Sequence, residues 1–184
     1  MDFRHVERCC RPVGRQLAPP GTQRFAHRLR REHFELDVRH IDWCDADGDP
    51  EQPSAQIQFP GPAEELHDRL SAVDDTQLDG GQIDVAYRLR APFEDDEATG
   101  VVGVTNRLTG DFIFETNEAA EDVLQFITAA REYGQATSSP DSRYRIRLSF
   151  EAGQTVTYDK RTFLVYDDEG DPLRSQSPIP PRPA

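Results

Sequence analysis

An α+β fold with mostly antiparallel pairing is what this sequence predicts, and three observations predict it. Runs of period-two alternation recur along the chain, two stretches carry a helical period instead, and the segments follow a fixed order. That order is hairpin, helix, strand, then hairpin, helix, strand, then a few further strands. About seven to nine strands and two amphipathic helices, at about 62–74 and 117–133, account for the body of the chain.

The first run, HFELDVRHIDW, alternates Phe34, Leu36 and Val38, then shifts phase to Ile41 and Trp43. It reads as a long strand with a bulge or bend near Arg39 and His40. The turn cluster DADGDPEQP leads into SAQIQF, where Ala55, Ile57 and Phe59 alternate. GPAEELHDRLSAVDD sets Ala63, Leu66, Leu70 and Val73 on one helical face, with acids in the first turn where the helix dipole favours them. QIDVAYRLR turns Ile83, Val85, Tyr87 and Leu89 inward and leaves Asp84, Arg88 and Arg90 outward.

GVVGVTNR and DFIFET flank a loop at Thr109-Gly110, where glycine takes a positive φ without strain. Val101 with Val102, and Phe112 with Ile113 and Phe114, put apolar groups on both faces, which predicts two mid-sheet strands covered on both sides. Asn117 reads as a helix N-cap, with Glu118, Glu121 and Asp122 in or near the first turn. Val123, Phe126, Ile127, Ala130 and Tyr133 line one face of that helix, and Gly134 reads as its stop. RYRIRLSF points Tyr144, Ile146, Leu148 and Phe150 inward and Arg143, Arg145 and Arg147 outward; QTVTYD and TFLVYD follow as strands. The repeated order suggests a crude duplication, although side chains of the two halves match poorly.

Charge divides the chain. Residues 1–31 hold eight Arg against Asp2 and Glu7, whereas the other 153 residues hold 13 basic and 32 acidic side chains. A basic extension over 1–29, a single domain over 30–174 and a mobile Pro-rich tail over 175–184 follow from that jump and from SPIPPRPA. The basic segment is an arm for RNA or for the acidic body, or else a stretch outside the natural start of translation, and the second reading fits its lack of any period. The net charge is −13, and Lys160 is the single lysine beside 20 Arg. Such a balance fits a protein of concentrated salt, where screening falls to about 3 Å at 1 M and carboxylates keep the surface hydrated; an acidic protein from a GC-rich mesophile is the other source of it. It argues against a duplex-DNA or anionic-membrane footprint. No apolar run is long enough to span a bilayer and no secretory signal opens the chain, which points to the cytoplasm. Three cysteines, Cys9, Cys10 and Cys44, imply no disulfide framework.

TGVVGVTNRLTGDFIFE, AAREYG and TFLVYDDEG carry a resemblance, over about residues 30–175, to a family of small acidic haloarchaeal proteins of unknown function. The resemblance implies a start near RREHF, which agrees with an extension before it, while SPIPPRPA departs from the family's ending. It implies no activity, cofactor or catalytic residue.

Candidate chemistry is sparse. The turn with Asp45, Asp47, Asp49 and Glu51 lacks EF-hand spacing, since counting back from Gly48 puts Trp43 in the first ligand position. His40 and Cys44 fall on one face if they share a strand, with His33 upstream, but a zinc site needs about four ligands and no second pair exists in the body. There is no nucleophile elbow and no phosphate loop, and His67, on the Glu64/Asp68 side of its helix, reads as solvated. No enzyme, metal or cofactor is expected. The notable polar set is Arg88, Arg90, Arg143, Arg145 and Arg147, which would form one anion-binding face if their strands are neighbours and would otherwise pair with acids across strands. The expected role is a non-enzymatic protein-interaction or regulatory module, acting on itself or on another protein through a sheet edge or an aromatic patch drawn from Phe163, Tyr166 and Trp43. The alternatives are a small-anion or nucleotide-binding protein using the Arg face, and RNA contact through the basic arm.

Overall fold

Strand alternation in the sequence becomes strand in space almost throughout. The structure is a computed structural model that describes residues 34–44, 48–61, 63–72, 75–92, 95, 97–137, 143–150 and 153–178. In chain order the elements are β1 (Glu35–Arg39), β2 (Ser54–Phe59), α1 (Ala63–Arg69), β3 (Ile83–Leu89), β4 (Thr99–Asn106), β5 (Phe112–Ala119), α2 (Ala120–Ala136), β6 (Tyr144–Phe150), β7 (Thr155–Lys160) and β8 (Leu164–Tyr166). The eight strands form two four-stranded sheets, β1-β2-β6-β7 and β5-β4-β3-β8. Pairing is antiparallel except for β2 with β6 and β3 with β8, which run parallel.

The predicted order of hairpin, helix and strand holds, but the duplication does not extend to pairing. β6 joins the first hairpin beside its second strand, in parallel, whereas β3 joins the second hairpin beside its first strand, antiparallel. The two sheets turn their buried faces onto one shared core. Phe34, just before β1, stacks on Phe59 of β2 at 4.9 Å and on Phe114 of β5 at 4.8 Å, joining the sheets at one corner. α2 packs from another side, where Phe126 meets Tyr144 edge-on at 5.4 Å.

Four local expectations are corrected. The bend expected near Arg39 and His40 is present, with His40 at a φ of 61°, but the strand does not resume beyond it: a 3₁₀ turn follows at Asp42–Cys44. β5 is an edge strand, not a mid-sheet one. A register shift between Val104 and Thr105 lets Ile113 and Phe114 both turn inward, so no second covering layer is needed. Asn117 does not cap α2: β5 runs straight into the helix through Ala119, and the Ala120 N–H donates to the Ala98 carbonyl at 2.8 Å. Gly134 does not end α2 either; the stem of Arg143 lies against it, and a Cβ there would stand 3.1 Å from the Arg143 Cγ.

Hydrogen bonds to the body continue into the expected tail, at Ser175 and Ser177. The Val165 N–H donates to the Ser177 hydroxyl, which itself donates to the Leu173 carbonyl, and Arg131 donates to the Ser175 carbonyl at 2.7 Å. Residues 1–33 and 179–184, and with them the whole basic extension over 1–29 and the end of the Pro-rich tail expected over 175–184, lie outside the described residues.

Lys160 explains its own rarity. It points from the inner face of β7 with 6% exposure and donates to the carbonyls of Gly80, at 2.6 Å, and Ile83. The turn before β3 in one sheet is thereby fastened to β7 in the other. A Cβ at Gly80 would stand 2.5 Å from the Asp159 carbonyl oxygen, so the two backbones touch. A compact ammonium with three rotatable donors suits two converging carbonyls, which the fixed fork of a guanidinium does not match. Burial lowers the Lys160 pKa, and Asp84 pulls it partly back. Lys160→Met leaves both carbonyls without their donor and is expected to cost about 2–4 kcal/mol. Lys160→Arg should also destabilise, both read as lower urea midpoints.

Candidate functional site

Inward residues of both sheets do not quite meet. Between them lies an apolar cavity of about 30 Å³, lined by Leu36 and Val38 of β1, Ala55 and Ile57 of β2, Val85, Val102 and Val104 of β3 and β4, Val123 and Phe126 of α2, and Tyr144, Ile146 and Phe163. Its walls offer no polar surface. A void of that kind stays dry and is filled most favourably by hydrocarbon.

Ten of the twelve lining residues are buried; Leu36 and Val38 alone are partly exposed, so the cavity opens at β1. β1 stands at the end of its sheet and pairs with β2 alone among the described residues. Its sequence, ELDVR, sends Leu36 and Val38 toward the cavity and Glu35, Asp37 and Arg39 toward solvent. Arg39 donates to the Asp37 carboxylate at 2.8 Å, with both side chains about half exposed.

The other three edge strands are each covered in part. On β5 the bulge residue's carbonyl, Ile113 O, accepts from Arg69 of α1 at 3.0 Å. β8 has three residues, and Tyr166 is bridged by Pro172. β7 is overlaid at its end by the turn through Gly80. Among the described residues, a backbone edge with no second partner strand and the partly exposed wall of the apolar cavity therefore coincide on β1.

The five candidate arginines do not converge. Arg88 and Arg90 belong to β3 and its continuation, while Arg143, Arg145 and Arg147 belong to β6 and its approach; β3 and β6 sit in different sheets. Arg145 pairs with Asp159 on β7 at 2.8 and 3.3 Å, which holds its proton more firmly. Arg88 lies over the Tyr166 ring at 5.6 Å. The Arg143 Nε is buried without a hydrogen-bond partner, and Arg147 stands opposite Gln56 and Thr157 rather than a carboxylate.

The other sequence candidates also disperse. His40 and Cys44 do not share a strand face; His40 bonds Glu51 at 2.5 Å, and Trp43 donates to its carbonyl at 2.8 Å. Asp45, Asp47, His33, Cys9 and Cys10 lie outside the described residues. Among the described residues no group of three or more His, Cys, Asp or Glu is placed to hold a metal ion. His67 is not simply solvated, since its ring stacks on Phe150 at 5.0 Å and bonds Gln154. The aromatic patch of Phe163, Tyr166 and Trp43 does not form: Phe163 is 4% exposed and packs in the core, while Tyr166 and Trp43 are half-buried.

The sequence reading missed the large apolar groups that do face solvent, Leu108 at 65% exposure and Phe112 at 43%, on the β4–β5 hairpin. Asn106 builds that turn by accepting from the N–H groups of Leu108 and Thr109, and Gly110 takes a φ of 77°. Leu108 follows from the turn's geometry, and Phe112 from the same register shift that buries Ile113.

The chain belongs to a family of unknown function, DUF5793, which matches residues 29–181. No curated protein and no solved structure matches it. Among the described residues no helix is long and apolar enough to cross a membrane.

Three buried tyrosines weaken the fold at alkaline pH, one of them in the cavity wall. Burial pushes Tyr87 from 10.0 up to about 12, with Glu118 adding to the shift, and burial alone pushes Tyr158 up to about 12 while nearby Gln77 opposes it. The Tyr158 hydroxyl has no partner in hydrogen-bond geometry. Tyr144, donating to the Thr162 carbonyl at 2.7 Å, is raised well above the usual range by burial. Between pH 10 and 12 the unfolded tyrosines lose protons that the folded ones keep, so the native state binds more protons and stability falls as pH rises. A displacement from 10.0 to about 12 corresponds to roughly 2–3 kcal/mol for each group. Urea unfolding at pH 9, 10, 11 and 12 should therefore show a steep loss above pH 10, and Tyr158→Phe should make it shallower.

Proposed function

We propose that this protein is a non-enzymatic module of a salt-adapted cytosol that works through protein contacts, docking an extended strand on the free edge of β1. The observation that carries the reading is the coincidence of an unpaired strand edge with the mouth of an apolar cavity, at Leu36 and Val38. Strand addition of this type draws affinity from backbone hydrogen bonds along the edge and specificity from alternate side chains entering pockets. Both requirements are met on one five-residue strand. The placement of the arginines in two different sheets favours this reading over an anion-binding one.

A photo-crosslinking residue in place of Asp37, on the docking edge, tests the reading against the same residue in place of Arg147, on the open face of the same sheet. In lysate at high salt the edge position is expected to give a discrete adduct and the face position none. Equal labelling from both positions, or none from either, would sink the reading.

A further inference from the structure

We propose that the strand docked on β1 is β1 of a second copy, paired antiparallel about a two-fold axis so that two four-stranded sheets become one continuous sheet. This rests on the docking reading above and names its occupant.

The sequence of β1 is complementary to its own reverse. With Asp37 on the axis, Glu35 falls opposite the partner's Arg39, and Leu36 falls opposite the partner's Val38. Both charged pairs are of opposite sign and sit on the solvent face. Opposite charges across a strand pair are favourable; a register with Val38 on the axis would also oppose Asp37 to Arg39 but pairs only three strand residues, whereas the Asp37 register pairs all five. A slip of one residue would set Leu36 and Val38 opposite the partner's charged side chains.

The axis itself places Asp37 against the partner's Asp37. Each carboxylate already accepts from its own Arg39 at 2.8 Å, which spreads a positive charge over the place where repulsion would arise. On the inner face, the half-exposed Leu36 and Val38 of both copies cover one another. Two apolar cavities are thereby closed by side chains rather than by water. An isologous contact of this kind closes on itself and leaves no β1 edge free for further growth.

Net charge governs when the pairing forms. Each chain carries −13, so two copies repel at low ionic strength. At 1 M salt the screening length is about 3 Å, which leaves directly opposed pairs intact and removes the long-range repulsion. The dimer is therefore expected to strengthen as salt rises, the reverse of an association driven by charge attraction between whole molecules.

Sedimentation equilibrium of the full chain in about 0.1 M and about 1 M KCl tests this, because only the higher salt screens the repulsion. The expected mass at high salt is twice 20.8 kDa. Glu35→Arg alone, and Arg39→Glu alone, are each expected to weaken association by about tenfold or more, since like charges then oppose each other at two places. The double variant Glu35→Arg/Arg39→Glu exchanges the partners of each pair and is expected to recover most of the loss. All these side chains are exposed, and circular dichroism checks that each variant folds. A monomer at both salts, or a dimer indifferent to both single variants, overturns the proposal. The crosslinker at Asp37 separates the two levels of inference. A discrete adduct with another protein, or with the chain's own residues 1–33, overturns the second copy as occupant and leaves the docking edge standing. No adduct of any kind overturns both.

Discussion

Each sheet borrows a strand from the half of the chain that builds the other. β3 leaves the first hairpin, crosses by α1, and pairs with β4; β6 leaves the second hairpin, crosses by α2, and pairs with β2 in parallel. Neither sheet can be completed before the other half arrives, so the two are obliged to form together and loop-closure entropy weighs on the whole fold. The contacts that hold the sheets in place reflect this. Phe34, Phe59 and Phe114 stack across the two sheets, and Lys160 carries a donor from β7 to the turn that launches β3. Arg69 does the same from α1 to the bulge of β5.

That exchange also decides what the surface can do. Because the arginines of β3 and β6 come from strands in different sheets, alternation alone could never have brought them to one face. Sequence period tells which side of a strand faces inward; it does not tell which strand lies next. The alternation of Ala55, Ile57 and Phe59, of Val85, Tyr87 and Leu89, and of Tyr144, Ile146 and Leu148 was legible and became core. The Arg set was legible as outward and illegible as a group. The same limit hid β1 as an edge, since ELDVR alternates like any half-buried strand.

Where local signals failed, a tertiary contact had replaced the local device. Asn117 is a good capping residue at a plausible distance, but α2 is capped by the Ala98 carbonyl from the neighbouring strand connection. Gly134 carries the residue type of a helix stop, yet its role is to admit the Arg143 stem. The run Phe112-Ile113-Phe114 reads as two buried faces, and a register shift turns it into one buried face and one exposed ring. In each case the residue type was informative about a close approach or a turn, and the partner was beyond the reach of a window of neighbours.

An open sheet edge is normally blunted, and β1 carries some of the usual means: it is short and charged at alternate positions. Those devices block promiscuous pairing without blocking all pairing. Charges of one sign along an edge would repel every copy of it, whereas Glu35, Asp37 and Arg39 form a pattern that admits few partners in few registers. The inward positions push the same way. Had burial of Leu36 and Val38 been complete, the edge would present only polar groups and gain little from a neighbour; left half-exposed over an apolar void, they give a strand of the right pattern something to cover. On the proposed docking, a selective edge and an unfilled core are two sides of one arrangement, in which a second strand covers the partly exposed wall of the cavity.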